Sequence, residues 1–207
     1  MKKYGRTYHL PISAGVMSDN KIIADLSVLK NANEIVFTEK MDGENTTIHS
    51  QGCHARSPNS GYHASSDWVK AFAAGVSPFL SKHERIVGEY LFAGHSVAYD
   101  NLPSYFLGFA CVVDGFIQSW DDTNARLTDI GILPVPTLNR GKFDAAAADE
   151  ALGQLDLNTQ EGFVVRVTSV FSESDMPKHM AKYVRADHVR NDTHWMRAEI
   201  VRNKLQK

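Results

Sequence analysis

The stretch "EIVFTEKMDGENTTIHS", residues 34–50, constrains the fold more than any other. Two runs rich in β-branched and aromatic residues, 34–40 and 45–50, flank Asp42-Gly43, a pair that tolerates the positive φ of a tight turn. A β-hairpin is the expectation. "RIVGEYLF" (85–92), "SYFLGFACVVD" (104–114), "FIQSW" (116–120), "EGFVVRVTS" (161–169) and "MAKYVRA" (180–186) also read as strands, with a second hairpin around Asp114-Gly115. "SSDWVKAFAAGVSPFLSKH" (65–83) carries Trp68, Val69, Phe72, Ala73, Val76, Phe79 and Leu80 at helical spacing, disturbed near Pro78. "DDTNARLTDIG" (121–131) and "DAAAADEALGQL" (144–155) predict short helices, each opening on an Asp cap. "DHVRNDTHWMRAEIVRNKLQ" predicts a closing helix. With no repeat, low-complexity tract or linker, the pattern predicts one α+β domain over 1–207, with largely antiparallel sheets flanked by helices. The first thirty and last twenty residues are the candidates for an appendage.

Composition narrows the function classes. The formal charge of −2 argues against a generally basic nucleic-acid binder, but residues 178–207 hold eight Lys/Arg against three Asp/Glu. This basic end, with 186–207 expected as a basic C-terminal helix, can grip phosphates or form a solvated face. Two distant cysteines, Cys53 and Cys111, give no disulfide framework, and the nine histidines show no metal-ligand spacing. The N-terminal segment lacks the apolar run of a signal peptide, and no stretch approaches the roughly 20 apolar residues of a membrane span. A cytoplasmic protein without membrane contact is expected.

Within the opening stretch lies the string Lys40-Met41-Asp42-Gly43. K-x-D-G arises by chance in about one in twenty-five chains of this length, so alone it favours a plain turn. A functional reading needs companions. A lysine that attacks a nucleotide α-phosphate must lose its proton near neutral pH, against a reference pKa of about 10.4. The triphosphate needs Lys, Arg and a divalent metal, the metal needs oxygen ligands, and the base needs an aromatic or apolar plate. Downstream come "HARSPNSG" with Arg56, "GEYLFAG" with Glu89, "YFLGFACVVD" with Phe109, "EGFVVRV" with Glu161, and "AKYVR" with Lys182 and Arg185. Each has an innocent reading singly; six suitable pieces in one order do not. No G-x-x-x-x-G-K-[ST] loop is present, since "NRGKF" lacks the earlier Gly and the hydroxyl.

In that order, from about Glu34 to Arg185, the chain resembles the covalent nucleotidyltransferase superfamily of ATP-dependent RNA ligases, DNA ligases and capping guanylyltransferases. "EKMDGEN", with Glu before the lysine and Asn five after it, is most similar to the phage-type nick-sealing RNA ligases. The resemblance implies an ATP-grasp-like ligase catalytic domain in a minimal form without an OB-fold domain. It implies that Lys40 forms a lysyl-AMP, that AMP passes to a 5'-phosphate RNA end, and that a 3'-hydroxyl then displaces it. Glu39 would read the adenine amino group, Asn45 would lie near the phosphates, and Arg56 would contact ribose or phosphates. Glu89 would hold the ribose and Phe109 would stack on the base. Glu161 would organise magnesium or manganese, and Lys182 would contact the α-phosphate and keep Lys40 deprotonated by repulsion. Asp42 would orient the loop and Gly43 permit its turn. The second lysine common in the last motif is here Val184, with Arg185 or Arg166 as substitutes. Arg190, Arg197, Arg202 and Lys204 would bind the strand. ATP and RNA ends or a nicked duplex are the implied partners of a monomer. A DNA ligase, a guanylyltransferase-like enzyme and a catalytically inactive nucleic-acid-binding relative are the alternatives.

Overall fold

The structure is a computed structural model that describes residues 2–18, 20–57, 63–186 and 201–207. The described elements run β1 (Tyr8–His9), α1 (Ser27–Asn31), β2 (Ile35–Glu39), β3 (Glu44–His49), β4 (Gly52–Ala55), α2 (Asp67–Val76) and β5 (Glu84–Tyr90). They continue through β6 (Phe106–Val113), β7 (Phe116–Ile117), α3 (Trp120–Asp129), β8 (Leu133–Pro134), β9 (Thr137–Gly141) and α4 (Ala145–Gly153). The last are β10 (Gly162–Val167), β11 (Phe171–Ser172), α5 (Met176–His179) and β12 (Met180–Val184). Two sheets form, one ordered β1-β12-β10-β2-β9 and the other β11-β7-β6-β5-β3-β4 with β8 beside β6. Every named pair is antiparallel except β1 with β12 and β6 with β8. The predicted α+β class with largely antiparallel sheets is what is observed.

The first expected hairpin is not formed. β2 pairs with β10 and β9 in one sheet, while β3 pairs with β4 and β5 in the other. Lys40–Gly43 is therefore the bridge between sheets. All five residues of β2 are buried, with Ile35 and Phe37 entering one apolar cluster and Val36 the other. A strand covered on both faces belongs inside a layered sheet. Neither Asp42 nor Gly43 has positive φ. What Gly43 supplies is closeness: a Cβ there would collide with the carbonyl oxygen of Tyr90 and come within 2.9 Å of Leu91 Cδ2. The second expected hairpin does form, with Asp114 at φ 50° and Gly115 at φ 82° between paired Val113 and Phe116.

The helices follow the sequence with local corrections. α2 buries Val69, Ala73 and Val76, and passes into a single tight turn, Ser77–Phe79, at Pro78. α4 is capped by Asp144, which accepts from the Ala147 amide at 2.8 Å. α3 is capped instead by Ser119, which accepts from the Asp122 amide at 3.0 Å, so strand "FIQSW" stops at Ile117. Residues 1–30 are no appendage among those described: β1 pairs with β12, and Tyr4, Leu10, Ile23 and Leu29 are core residues. Of the expected basic helix, residues 187–200, including Arg190 and Arg197, lie outside the described residues. Residues 201–207 are not helical; isolated bridges join Arg202 to Ala93 and Leu205 to Leu102. Their backbone donors and acceptors pair with a neighbouring loop rather than with each other. No helix among the described residues is long and apolar enough to cross a membrane.

Candidate active site

β-Sheet alternation puts every second residue of a strand on one face. In the first sheet, Thr38, Val164, Lys182 and His9 form one cross-strand row, because Val164 pairs with both Thr38 and Lys182, and Lys182 with His9. In the second, Asn45 pairs with Glu89. These two faces line a cavity of about 480 Å³ that also takes in Glu39, Lys40, Arg56 and Phe109. The structure thus gathers Glu39, Lys40, Asn45, Arg56, Glu89, Phe109 and Lys182 from six places in the chain. Glu161 reaches the same place through Lys40, its Oε2 lying 2.5 Å from Nζ.

Lys40 leaves β2 with its amide donating to the Gly162 carbonyl at 2.9 Å, which sets it beside Glu161 at the start of β10. Asp42 is then clamped by the loop after β5. Its Oδ2 accepts from Ser96 Oγ and the Val97 amide, both at 2.8 Å, and its own amide donates to Tyr99 Oη at 2.9 Å. The Gly43 amide donates to Glu89. The turn carrying Lys40 is fixed from both sides.

The electrostatics correct one expectation. Burial works to lower the Lys40 pKa, but the touching Glu161 carboxylate, helped by Glu89, outweighs it and raises the value. Lys40 is held as an ammonium here. The depressed amine is Lys182, brought down to about 8 by burial and by repulsion from Lys40, with Arg56 and Arg6 adding to it. Glu89 is raised to about 8 by burial, with Glu161 and Asp42 adding to the effect against Lys40. Burial also raises Glu39, which is 8% exposed.

The Glu89 shift predicts a pH dependence of stability. The unfolded carboxyl releases its proton near 4.5 and the folded one near 8, so between these values the native state binds more protons. Stability from this group therefore falls as pH rises through that window. Glu89→Gln, which cannot ionise, is expected to gain stability relative to the parent from pH 5 to pH 8 in paired urea-unfolding curves. Parallel curves would refute it.

No cluster of three or more His, Cys, Asp or Glu side chains suited to a metal is found among the described residues. Glu89 and Glu161 nevertheless both act on Lys40, and the buried Asn45 Oδ1 opposite Glu89 has no partner. A magnesium-type ion takes one or two carboxylates and completes its shell from water and phosphates, and these donors fit that pattern.

Arg185 does not join the cavity. Lys182 and Val184 share a strand face by period two, which turns Arg185 away, and its Nη1 donates to the Leu157 carbonyl at 2.9 Å. Arg166, on the same face as Val164, does line the cavity. It is 2% exposed, bonded to the Val167 and Gln118 carbonyls, stacked 5.8 Å from the Trp120 ring and 5.1 Å from Phe171, with Nη1 unpartnered. Sequence reasoning missed Tyr4, Arg6, Lys21 and His95 in the lining. The basic and aromatic "KKYGR" was the available signal for the first two.

The RNA ligase family model matches residues 33–184, most of the chain, including Glu39, Lys40, Asn45, Arg56, Glu89, Phe109, Glu161 and Lys182 but not Arg185 or the expected strand-binding residues after it. No curated protein matches. Among solved structures, an archaeal ATP-dependent RNA ligase superposes with a TM-score of 0.60 at 14% identity, covering 89% of this chain and 48% of that one. A Naegleria gruberi RNA ligase variant with ATP and Mn gives 0.57 at 14%, covering 89% and 56%. A structure from a study of Lig E DNA ligases gives 0.52 at 16%, covering 89% and 69%. The chain thus spans about half the length of the first two. Its two-sheet α+β architecture is that of ligase nucleotidyltransferase domains, and the chain belongs to the RNA ligase family.

Proposed function

We propose that the protein is an ATP-dependent RNA ligase in which Lys40 carries AMP. The observation that carries the reading is the convergence of Lys40 and Lys182 with Glu39, Glu89 and Phe109 on one cavity, with Glu161 paired to Lys40. Lys40 Nζ bonds to the α-phosphorus of ATP, the bond to the bridging oxygen breaks, pyrophosphate leaves, and the amine's protons pass to solvent. A 5'-phosphate oxygen of RNA then displaces the lysine and takes AMP. Finally a 3'-hydroxyl attacks that phosphate, AMP departs, and the phosphodiester closes.

The residues act mainly by position and charge. Phe109 offers a ring face to the base, Glu39 a carboxylate to its amino group, and Glu89 hydrogen bonding to the ribose. Lys182 and Arg56 set positive charge on the phosphates, and Asn45 lies where phosphates or an incoming strand end would pass. Glu161, with Glu89 in reach, would hold a magnesium or manganese ion, which would supply positive charge against the phosphates and weaken the pull of Glu161 on the Lys40 ammonium. Arg166 takes the place of the missing second basic residue. Arg185→Ala is accordingly expected to leave ATP affinity within about twofold, while Arg166→Leu lowers it more than about tenfold, as for a lost charge-assisted bond. Calorimetric titration measures both; equal effects would remove the assignment of Arg166.

The test is incubation with labelled ATP and magnesium. An acid-labile adduct that disappears in Lys40→Ala supports the reading, and its absence from the parent refutes it. GTP in place of ATP separates a guanylyltransferase. Nicked RNA and nicked DNA then separate the two ligases.

A further inference from the structure

The chain between β5 and β6 bears on Lys40 without belonging to a sheet. It clamps Asp42 through Ser96, Val97 and Tyr99, and it places His95 in the cavity lining. Such a loop must lose much backbone entropy to hold one shape. Residues 201–206 lie against its far side. The Gly94 amide donates to the Val201 carbonyl at 2.8 Å, and the Asn203 amide to Phe92 at 3.0 Å. The Lys204 amide donates to Tyr99 at 2.9 Å, and the Leu102 amide returns a bond to Lys204 at 2.9 Å.

Asn203, 3% exposed, is the centre of this contact. Its Nδ2 donates to the Leu91 carbonyl at 2.8 Å and the Ala93 carbonyl at 3.4 Å, and its Oδ1 accepts from the Tyr99 amide at 2.9 Å. Tyr105 Oη donates to its carbonyl at 2.9 Å. Arg202 adds a cationic contact 5.7 Å from the Phe92 ring. Tyr99 is the junction, because its amide meets Asn203 while its hydroxyl meets the Asp42 amide. A buried polar network satisfied in this way specifies one geometry.

We propose that residues 201–206 act through Asn203 as a fastening for the loop, and through Tyr99 and Asp42 position Lys40 for attack. Asn203 touches no reacting atom in this account; it is a positioning residue. The inference rests on the reading of Lys40 as nucleophile, where a misplacement of about 1 Å costs on the order of 100-fold in rate. It also makes a claim about backbone order that needs no catalysis to test.

The experiment compares the parent with Asn203→Ala and Asn203→Asp. In Asn203→Ala, amide exchange across 40–43 and 91–102 is expected to speed up at least about tenfold while β10 stays protected. The rate of Lys40 adduct formation is expected to fall at least about tenfold with KM for ATP within about threefold. Asn203→Asp should be equally poor at pH 8 and recover relative to the parent as pH falls, because a protonated carboxyl again donates to the Leu91 carbonyl. If Asn203→Ala does not fold, Gly94→Ala gives a gentler version, since its Cβ would press to 3.3 Å from Asn203 Oδ1. Parental exchange and parental adduct rate in a folded variant would overturn the inference, and so would exchange that rises uniformly through β10. A parent without adduct refutes the nucleotide reading, and the exchange arm still decides the fastening.

Discussion

Lys40→Arg is expected to abolish adduct formation while leaving the protein folded. The substitution keeps a cation against Glu161, whose side chain is 6% exposed, so the ion pair survives in kind. What it removes is the neutral amine. At pH 7 a lysine with the reference pKa is neutral in roughly one molecule in 2,500, and an arginine in about one in 300,000 or fewer. Its guanidinium is also a poor nucleophile by delocalisation. Lys40→Ala should differ in stability, because it leaves the Glu161 carboxylate without its cation. Since Lys40 keeps 22% of its side-chain exposure, the loss is set at about 1–3 kcal/mol, below that of a fully buried pair. Urea unfolding checks the stability order, and mass measurement after ATP exposure checks the chemistry. An adduct in Lys40→Arg would place the nucleophile elsewhere.

Glu161→Gln is expected to move two quantities in opposite directions. The carboxylate is the main influence raising the Lys40 pKa, so its replacement should shift the midpoint of Lys40 labelling by an amine-selective reagent to lower pH. More neutral amine would then be available, and on that ground alone adduct formation would speed up. The expectation is a fall of about 100-fold or more, because a glutamine loses the charge that would hold a divalent cation beside the phosphates. A faster reaction would show that Glu161 only restrains Lys40. An unchanged labelling midpoint would show that the 2.5 Å ion pair does not govern it.

Much of this site was legible in the chain. Lys40, Glu89, Phe109, Glu161 and Lys182 could be chosen because each type suits a task at phosphorus or at a base, and each sits in a strand-like run. Arg185 is the exception: its odd spacing from Lys182 places it on the other strand face, where it bonds to the Leu157 carbonyl. The state of Lys40 was not legible. Cationic repulsion from Lys182 is present, yet it depresses Lys182, because Glu161 lies against Lys40 and sets its balance. Similarly, nothing local marked Asn203 as buried. Its environment comes from Leu91, Ala93 and Tyr99, more than a hundred positions earlier.

By itself, then, the sequence determined which segments are extended and which reactive groups the chain carries, since side-chain type, period and caps act within a few residues. Only the tertiary structure decided that "FTEKMDGENTTIH" is a crossing between two sheets and not a hairpin. Local propensity makes both Ile35–Glu39 and Glu44–His49 strands, but pairing is a competition among all strands. Burial on both faces of β2 and the close approach of Gly43 to Tyr90 win it for the separated arrangement. The same separation opens the cavity and leaves Lys40 at the point where the chain passes from one wall to the other.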